Sequence, residues 1–185
     1  MNVMISLREA TWPLHLRLEK RLAIKDRFSD LDCYRDHLAL LLGFYSVAEA
    51  EWSASLAPAL SDLSARYKTA QLTRDLAALG GVPIPGAMVP AVANTAAALG
   101  GFYVLEGATL GGQHLLPLVE RRLGLSAEHG ASYLASYGSD VGPMWQRFGA
   151  AVESHCQTAE ATESAISGAQ ATFQAMEDWL CGAQA

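Results

Sequence analysis

The chain has 185 residues, 51% hydrophobic and 17% charged, with 13 Lys+Arg against 19 Asp+Glu for a formal net charge of −6. This balance excludes a disordered chain, which combines low hydrophobicity with high net charge, and it lacks the basic stripe of a general nucleic-acid binder. A fold of this length buries roughly 70% of the surface its unfolded chain would expose, so a single domain over 1–185 needs no disulfide or structural metal.

Cys33, Cys156 and Cys181 are odd in number, widely spaced and without a CxxC pair, which suits a reducing compartment. No cationic segment followed by an apolar run opens the chain, and no apolar stretch of about 18 residues interrupts it. A cytoplasmic protein with no membrane or nucleic-acid partner is expected.

In chain order the pattern is helical nearly throughout. Ser6 and Glu9 have the spacing of a capping box, and Leu7, Leu14, Leu18 and Leu22 follow at helical spacing, with Pro13 predicting a kink or irregular first turns. Ser29 to Asp32 repeats the capping chemistry before a long helix striped by Tyr34, Leu38, Leu41, Leu42, Tyr45 and Trp52. Shorter helices are predicted over 59–67 and 69–79, ended by Gly80-Gly81, and the Pro/Gly-rich stretch 81–90 is a loop. A long Ala/Leu-rich segment over 91–123, interrupted by glycines, closes with Arg121-Arg122 before Gly124 as a helix C-terminus does. Two helices over 126–137 and 143–157 come next, separated by 138–142. A last helix over 162–181 turns Ile166, Phe173, Met176 and Leu180 inward. No strand-like alternation and no internal repeat is evident, so the fold class is all-α.

Two features stand out chemically. Five of the fourteen residues from Gly100 to Gln113 are glycine, each costing about 1 kcal/mol relative to Ala in a helix. Close helix packing, as through Gly107-x-x-x-Gly111, or a flat ligand against the backbone would each offset that cost, and spacing alone leaves both open. The other feature is His15, with Glu19 one turn later on the same face. A carboxylate so placed can orient an imidazole that serves a metal. The remaining histidines sit singly, and no Glu-x-x-His pair of the di-iron type occurs.

At these two segments the chain resembles the heme oxygenase family. Leu7 to Glu19 (LREATWPLHLRLE) is similar to the family's proximal helix and Tyr103 to Gln113 (YVLEGATLGGQ) to its distal helix, in the family's order. The likeness is greatest to the bacterial, bacteriophytochrome-associated branch. It implies a multi-helix bundle with heme between a proximal N-terminal helix and a Gly-rich, kinked distal helix. It further implies heme b as both substrate and cofactor, with His15 as the iron ligand and Glu19 supporting it. The activity implied is cleavage of heme by O2 and delivered electrons to biliverdin, CO and ferrous iron, supplying a bilin chromophore or releasing iron. One axial His leaves the opposite iron position open for O2.

By the same resemblance Gly107, Ala108 and Gly111 form the catalytic distal face. Arg8, Thr11, Gly112, Tyr137 and Ser139 join Glu19 in contacting the cofactor, and Phe102 and Phe173 are candidates to wall the pocket. Many members carry an Asp where this chain has Ala108. A basic clamp position is occupied by Trp12, and Gly138 replaces another. Seven of the thirteen basic residues lie between Arg8 and Arg35, forming either a solvated helix face or a docking patch for an acidic electron donor. Ferredoxin, a flavoprotein reductase or ascorbate are the candidate reductants, and a bacteriophytochrome a candidate bilin acceptor. Two alternatives use the same architecture: a heme carrier or sensor without efficient turnover, and a thiaminase-like enzyme needing a pocket cysteine.

Overall fold

The structure, a computed structural model, describes residues 2–182. These residues form nine α-helices and no strand, in agreement with the all-α expectation. None of the helices is long and apolar enough to cross a membrane.

Helix α1 spans Val3–Leu22. Its cap is Asn2, whose side chain accepts a hydrogen bond from the Ile5 amide at 3.0 Å, while Ser6 lies inside the helix and donates its hydroxyl to the Asn2 carbonyl at 3.3 Å. This corrects the capping box expected at Ser6: Asn2 already supplies a side-chain acceptor one turn earlier. The helix continues through Pro13 and ends at Ala23, whose φ of 46° is left-handed.

After the short α2 (Ile24–Arg27), α3 (Leu31–Leu56) starts as predicted, with Asp30 accepting from the Cys33 amide at 2.8 Å. All six residues of its predicted stripe are buried. The expected helix over 59–67 contracts to α4 (Leu63–Arg66), and α5 runs over Thr69–Ala78. The following Pro/Gly-rich loop lies across α3 at Gly43, where a Cβ would overlap the Ile84 carbonyl oxygen. Trp52 Nε1 anchors the loop by donating to the Pro90 carbonyl at 3.0 Å.

Helix α6 (Thr95–Leu123) is capped by Asn94 and ends at Gly124 with φ 68°. It runs through all five glycines and Pro117 as one helix, so the predicted interruptions are absent. The helix expected over 126–137 is reduced to α7 (Ser132–Ala135). Ser126 and His129 exchange backbone hydrogen bonds at 2.9 and 3.0 Å, closing a turn that precedes it. A 3-10 turn at Gly138–Asp140, α8 (Val141–His155) and α9 (Ala159–Gly182) complete the fold.

The packing centres on α9, which contacts both α6 and α1 extensively, whereas α1 and α6 make few contacts with each other. At the α6/α9 crossing a Cβ on Gly100 would overlap the Ala165 carbonyl, and one on Gly168 would overlap the Ala97 carbonyl. The two backbones therefore meet through reciprocal glycines. On its other side α9 holds α1 by charge: Arg17 Nε and Arg21 donate to the two oxygens of buried Glu177 at 2.7 and 2.8 Å. Gln170 adds a bond to the Ala10 carbonyl at 3.2 Å. Burial pushes the Glu177 carboxyl up, but the two guanidiniums outweigh it and hold the group below its ordinary value.

Gly100→Ala and Gly168→Ala are each expected to cost about 1–3 kcal/mol, the range for overpacking, read from the urea midpoint. Because the folded pKa of Glu177 is depressed, its contribution is complete above the unfolded-state pKa and lost as pH falls through the folded one. Urea unfolding of Glu177→Gln across the acid range should show a flatter pH dependence than the parent.

Candidate functional site

Helix α1 presents His15 beside α9. The edge of Phe173 lies against the imidazole, with centroids 6.0 Å apart at 82°, and the Trp12 indole stacks parallel to it at 5.5 Å and 9°. His15 Nδ1 is buried and has no hydrogen-bond partner; the nearest carboxylate oxygen, on Glu19, is 3.7 Å away. The side chain as a whole is 43% exposed, so the ring is only partly covered. No group of three or more His, Cys, Asp or Glu that could hold a bare ion exists among the described residues. A single imidazole suits a metal whose other ligands arrive with a macrocycle.

Helix α6 supplies the facing surface. Tyr103 is its contact to α1: burial raises the phenol's pKa, and the Thr11 hydroxyl and Arg8 charge oppose that rise. Thr11 itself is buried and donates to the Leu7 carbonyl at 2.7 Å. His15 and Gly107 each lie one turn beyond this contact on their own helix. From there α6 is bare on one side: a Cβ on Gly107 would find only Trp145 at 4.0 Å, and one on Gly111 nothing within 4 Å. Gly112 differs, since its Cβ would meet the Leu134 carbonyl at 2.7 Å. The five glycines thus divide by role. Gly100, Gly101 and Gly112 serve close packing, while Gly107 and Gly111, four residues apart and so on one face, border open space. Packing accounts for three of the five glycines and for neither Gly107 nor Gly111.

A bare face on α6 and an isolated, half-exposed histidine on α1 are thus the two features of the site, and the comparisons with known proteins bear on the chain as a whole. The heme oxygenase family profile matches residues 1–181. The chain belongs to the heme oxygenase family. It is 35% identical over 149 residues to a heme oxygenase of Xanthomonas campestris, covering 78% of this chain and 86% of that protein. Among solved structures it resembles the NO- and CO-bound heme oxygenase from Neisseria meningitidis, with a TM-score of 0.86, 25% identity and coverage of 100% and 96% of the two chains. The fold is also that of the heme oxygenase from Leptospira interrogans, with a TM-score of 0.80, 20% identity and coverage of 98% and 100%.

The other positions expected from the heme oxygenase resemblance distribute unevenly. Arg8 is exposed, with its guanidinium carbon 6.0 Å from the Trp12 ring centroid. Ala108 is exposed beside Gly107. Phe173 reaches the site, but Phe102 is buried against Phe148 in the core, 6.1 Å between centroids. Ser139 is exposed on the 3-10 turn, which Gln113 Nε2 ties to α6 through the Gly138 carbonyl at 3.1 Å.

Tyr137 points inward. Its hydroxyl donates to Glu106 Oε1 at 2.5 Å, and the other Glu106 oxygen accepts from Arg66 at 2.8 Å. Arg66, almost wholly buried, also grips both oxygens of Asp62, at 2.7 and 2.9 Å. Lys68 Nζ sits 3.5 Å from the centroid of the Tyr137 ring and donates to the Arg66 carbonyl; burial lowers its pKa to about 8. Burial raises Glu106, with Tyr137 and Arg66 holding the rise back. Sequence reasoning missed this network on the inner side of α6, although Glu106 adjoins Gly107. Partners 31 and 40 positions away leave no periodic signal.

Cys156 is buried, and burial raises its thiol pKa, the opposite of an activated nucleophile.

Gly112→Ala should lower the thermal midpoint, whereas Gly111→Ala should raise stability by about 1 kcal/mol through helix propensity. Tyr137→Phe leaves Glu106 short of a donor and should cost about 1–3 kcal/mol, with Ser139→Ala unchanged, both measured by urea unfolding.

Proposed function

We propose that the chain binds heme b between α1 and α6, with His15 Nε2 as its proximal ligand, and that it opens the macrocycle to biliverdin. The bare face at Gly107 and Gly111, together with the half-exposed His15 on the helix that meets α6 at Tyr103, carries this reading. When bound, the substrate's iron supplies the oxygen chemistry, with O2 and external electrons yielding CO and ferrous iron. The protein's own contribution is placement: an imidazole on one side, and helix backbone close to the other where side chains would keep a flat ligand away.

Ala108 brings no carboxylate to that face, and Glu106 is turned inward against Arg66 and Tyr137. Protons for the reaction would therefore travel through water on backbone groups. This arrangement also favours the second reading, a heme carrier or sensor with slow turnover. The two separate on adding reductant and air to the hemin complex: biliverdin with free iron supports the oxygenase, and a stable heme complex supports the carrier.

The basic first fifth narrows as a docking surface. Arg17 and Arg21 are engaged by Glu177, and Arg27 is buried, donating to the Leu180 carbonyl at 2.9 Å. Arg35 pairs with Asp32. Exposed Lys20 and Lys25 remain as the surface on which an acidic donor, a ferredoxin or flavoprotein domain, would dock; ascorbate would need none. A bacteriophytochrome remains the proposed bilin acceptor.

His15→Ala should change the Soret band of the hemin complex and abolish biliverdin formation, followed by absorption and product chromatography; an unaltered spectrum would refute the ligand assignment. Replacing Lys20 and Lys25 by Glu should raise KM for an acidic protein donor while leaving hemin affinity and ascorbate-driven turnover unchanged.

A further inference from the structure

We propose that Trp12 is a positioning residue of this site, holding both the His15 imidazole and the Arg8 guanidinium in the orientations that a flat, dicarboxylate ligand requires. The inference rests on the reading of His15 as proximal ligand. Exposure of a single large apolar side chain explains nothing by itself, and Trp12 is 48% exposed. Its neighbours are the informative part.

His15 Nδ1 makes no hydrogen bond, and Glu19 at 3.7 Å is beyond bonding distance. Among the described residues no group supplies the usual means of fixing a ligand imidazole, a bond from its second nitrogen. What bounds the ring is aromatic: the indole parallel to its face at 5.5 Å and 9°, and the Phe173 edge at 82°. Rotation of the imidazole would break the stack, so Trp12 sets the plane of the ring.

Arg8 and His15 lie four residues before and three residues after Trp12, adjacent on one helix face with the indole between them. Arg8 forms no ion pair with a described residue, and its guanidinium carbon is 6.0 Å from the indole centroid, at the outer reach of a cation–π contact. An indole contact uses none of the guanidinium's N–H groups, which stay free for a carboxylate. Trp12 thus occupies a place where the resemblance leads one to expect a cation, and supports the cation one turn away.

The test compares Trp12→Leu, which keeps apolar bulk, with Trp12→Phe, which keeps a ring. In the ligand-free protein, NMR of labelled histidine should show the His15 ring protons shifted upfield by the indole, the shift lost in Trp12→Leu and partly kept in Trp12→Phe. Hemin titration should show Trp12→Leu binding roughly three- to tenfold more weakly, with most of the loss recovered in Trp12→Phe. Hemin dimethyl ester, which offers no carboxylate to Arg8, should lose less. The hyperfine-shifted heme methyl pattern of the ferric complex, which reports the imidazole plane, should change in Trp12→Leu. Unmoved His15 protons in Trp12→Leu, or hemin affinity and methyl pattern equal to the parent's, would overturn the proposal. Failure of His15 as ligand is separately visible as an unchanged spectrum in His15→Ala, while the ligand-free NMR comparison judges the stack by itself.

Discussion

The crossing of α6 on α9 is the contact on which the site depends. Gly100 and Gly168 let the two backbones touch at Ala165 and Ala97, closer than any side chain would permit. With α6 seated this deeply, the same α9 carries α1 through Glu177 and Gln170. Two helices are held on a common support and left largely free of each other, apart from the Tyr103 and Thr11 contact. Their separation is a consequence of what each is bound to, and Phe173, projecting from α9 against His15, belongs to the support that both share.

Energetics separate the glycines of α6 more sharply than spacing does. Five glycines cost about 5 kcal/mol of helix propensity, a large fraction of the roughly 5–15 kcal/mol by which a domain is stable. At Gly100, Gly101 and Gly112 the cost is offset within the protein, by approach to α9, Trp52 and α7. At Gly107 and Gly111 no close packing against a described residue offsets it. A helix that is bare without a neighbour is suited to a ligand that needs backbone at short range, in keeping with the family to which the chain belongs.

Behind that bare face lies a polar interior. Arg66 is paired with Glu106 and Asp62, Tyr137 donates to Glu106, and Lys68 donates to the Arg66 carbonyl, so the buried guanidinium, costly alone, is paired and hydrogen-bonded. The network anchors α6 beside Gly107 and connects it to the segment after α7. It also commits Tyr137 inward, so the segment's exposed donors to a carboxylate reduce to Ser139 and its surroundings. The candidate ligand-contacting side chains then lie mainly on α1, where Arg8, Trp12 and His15 form one column.

The helical class, the long helix capped by Asp30, the Pro/Gly loop and the stop at Gly124 were legible in the sequence because each is local: a side chain meeting an amide three residues away, or a residue suited to a special backbone angle. His15 and the glycine-rich segment were legible for the same reason, as departures from what a plain helix would contain. Helix extent after Gly124 was not, since the turn closed by Ser126 and His129 competes with a sequence of adequate helix propensity. Nor could sequence decide which glycines pack and which stay bare, or that Phe102 faces the core and Phe173 the site, because those assignments depend on what another helix places opposite. The pairing of Glu106 with Arg66 and Tyr137, and the approach of Phe173 to His15, arise when the helices close around one another. Only tertiary structure brings such groups together, and it does so by burial and contact, which have no period along the chain.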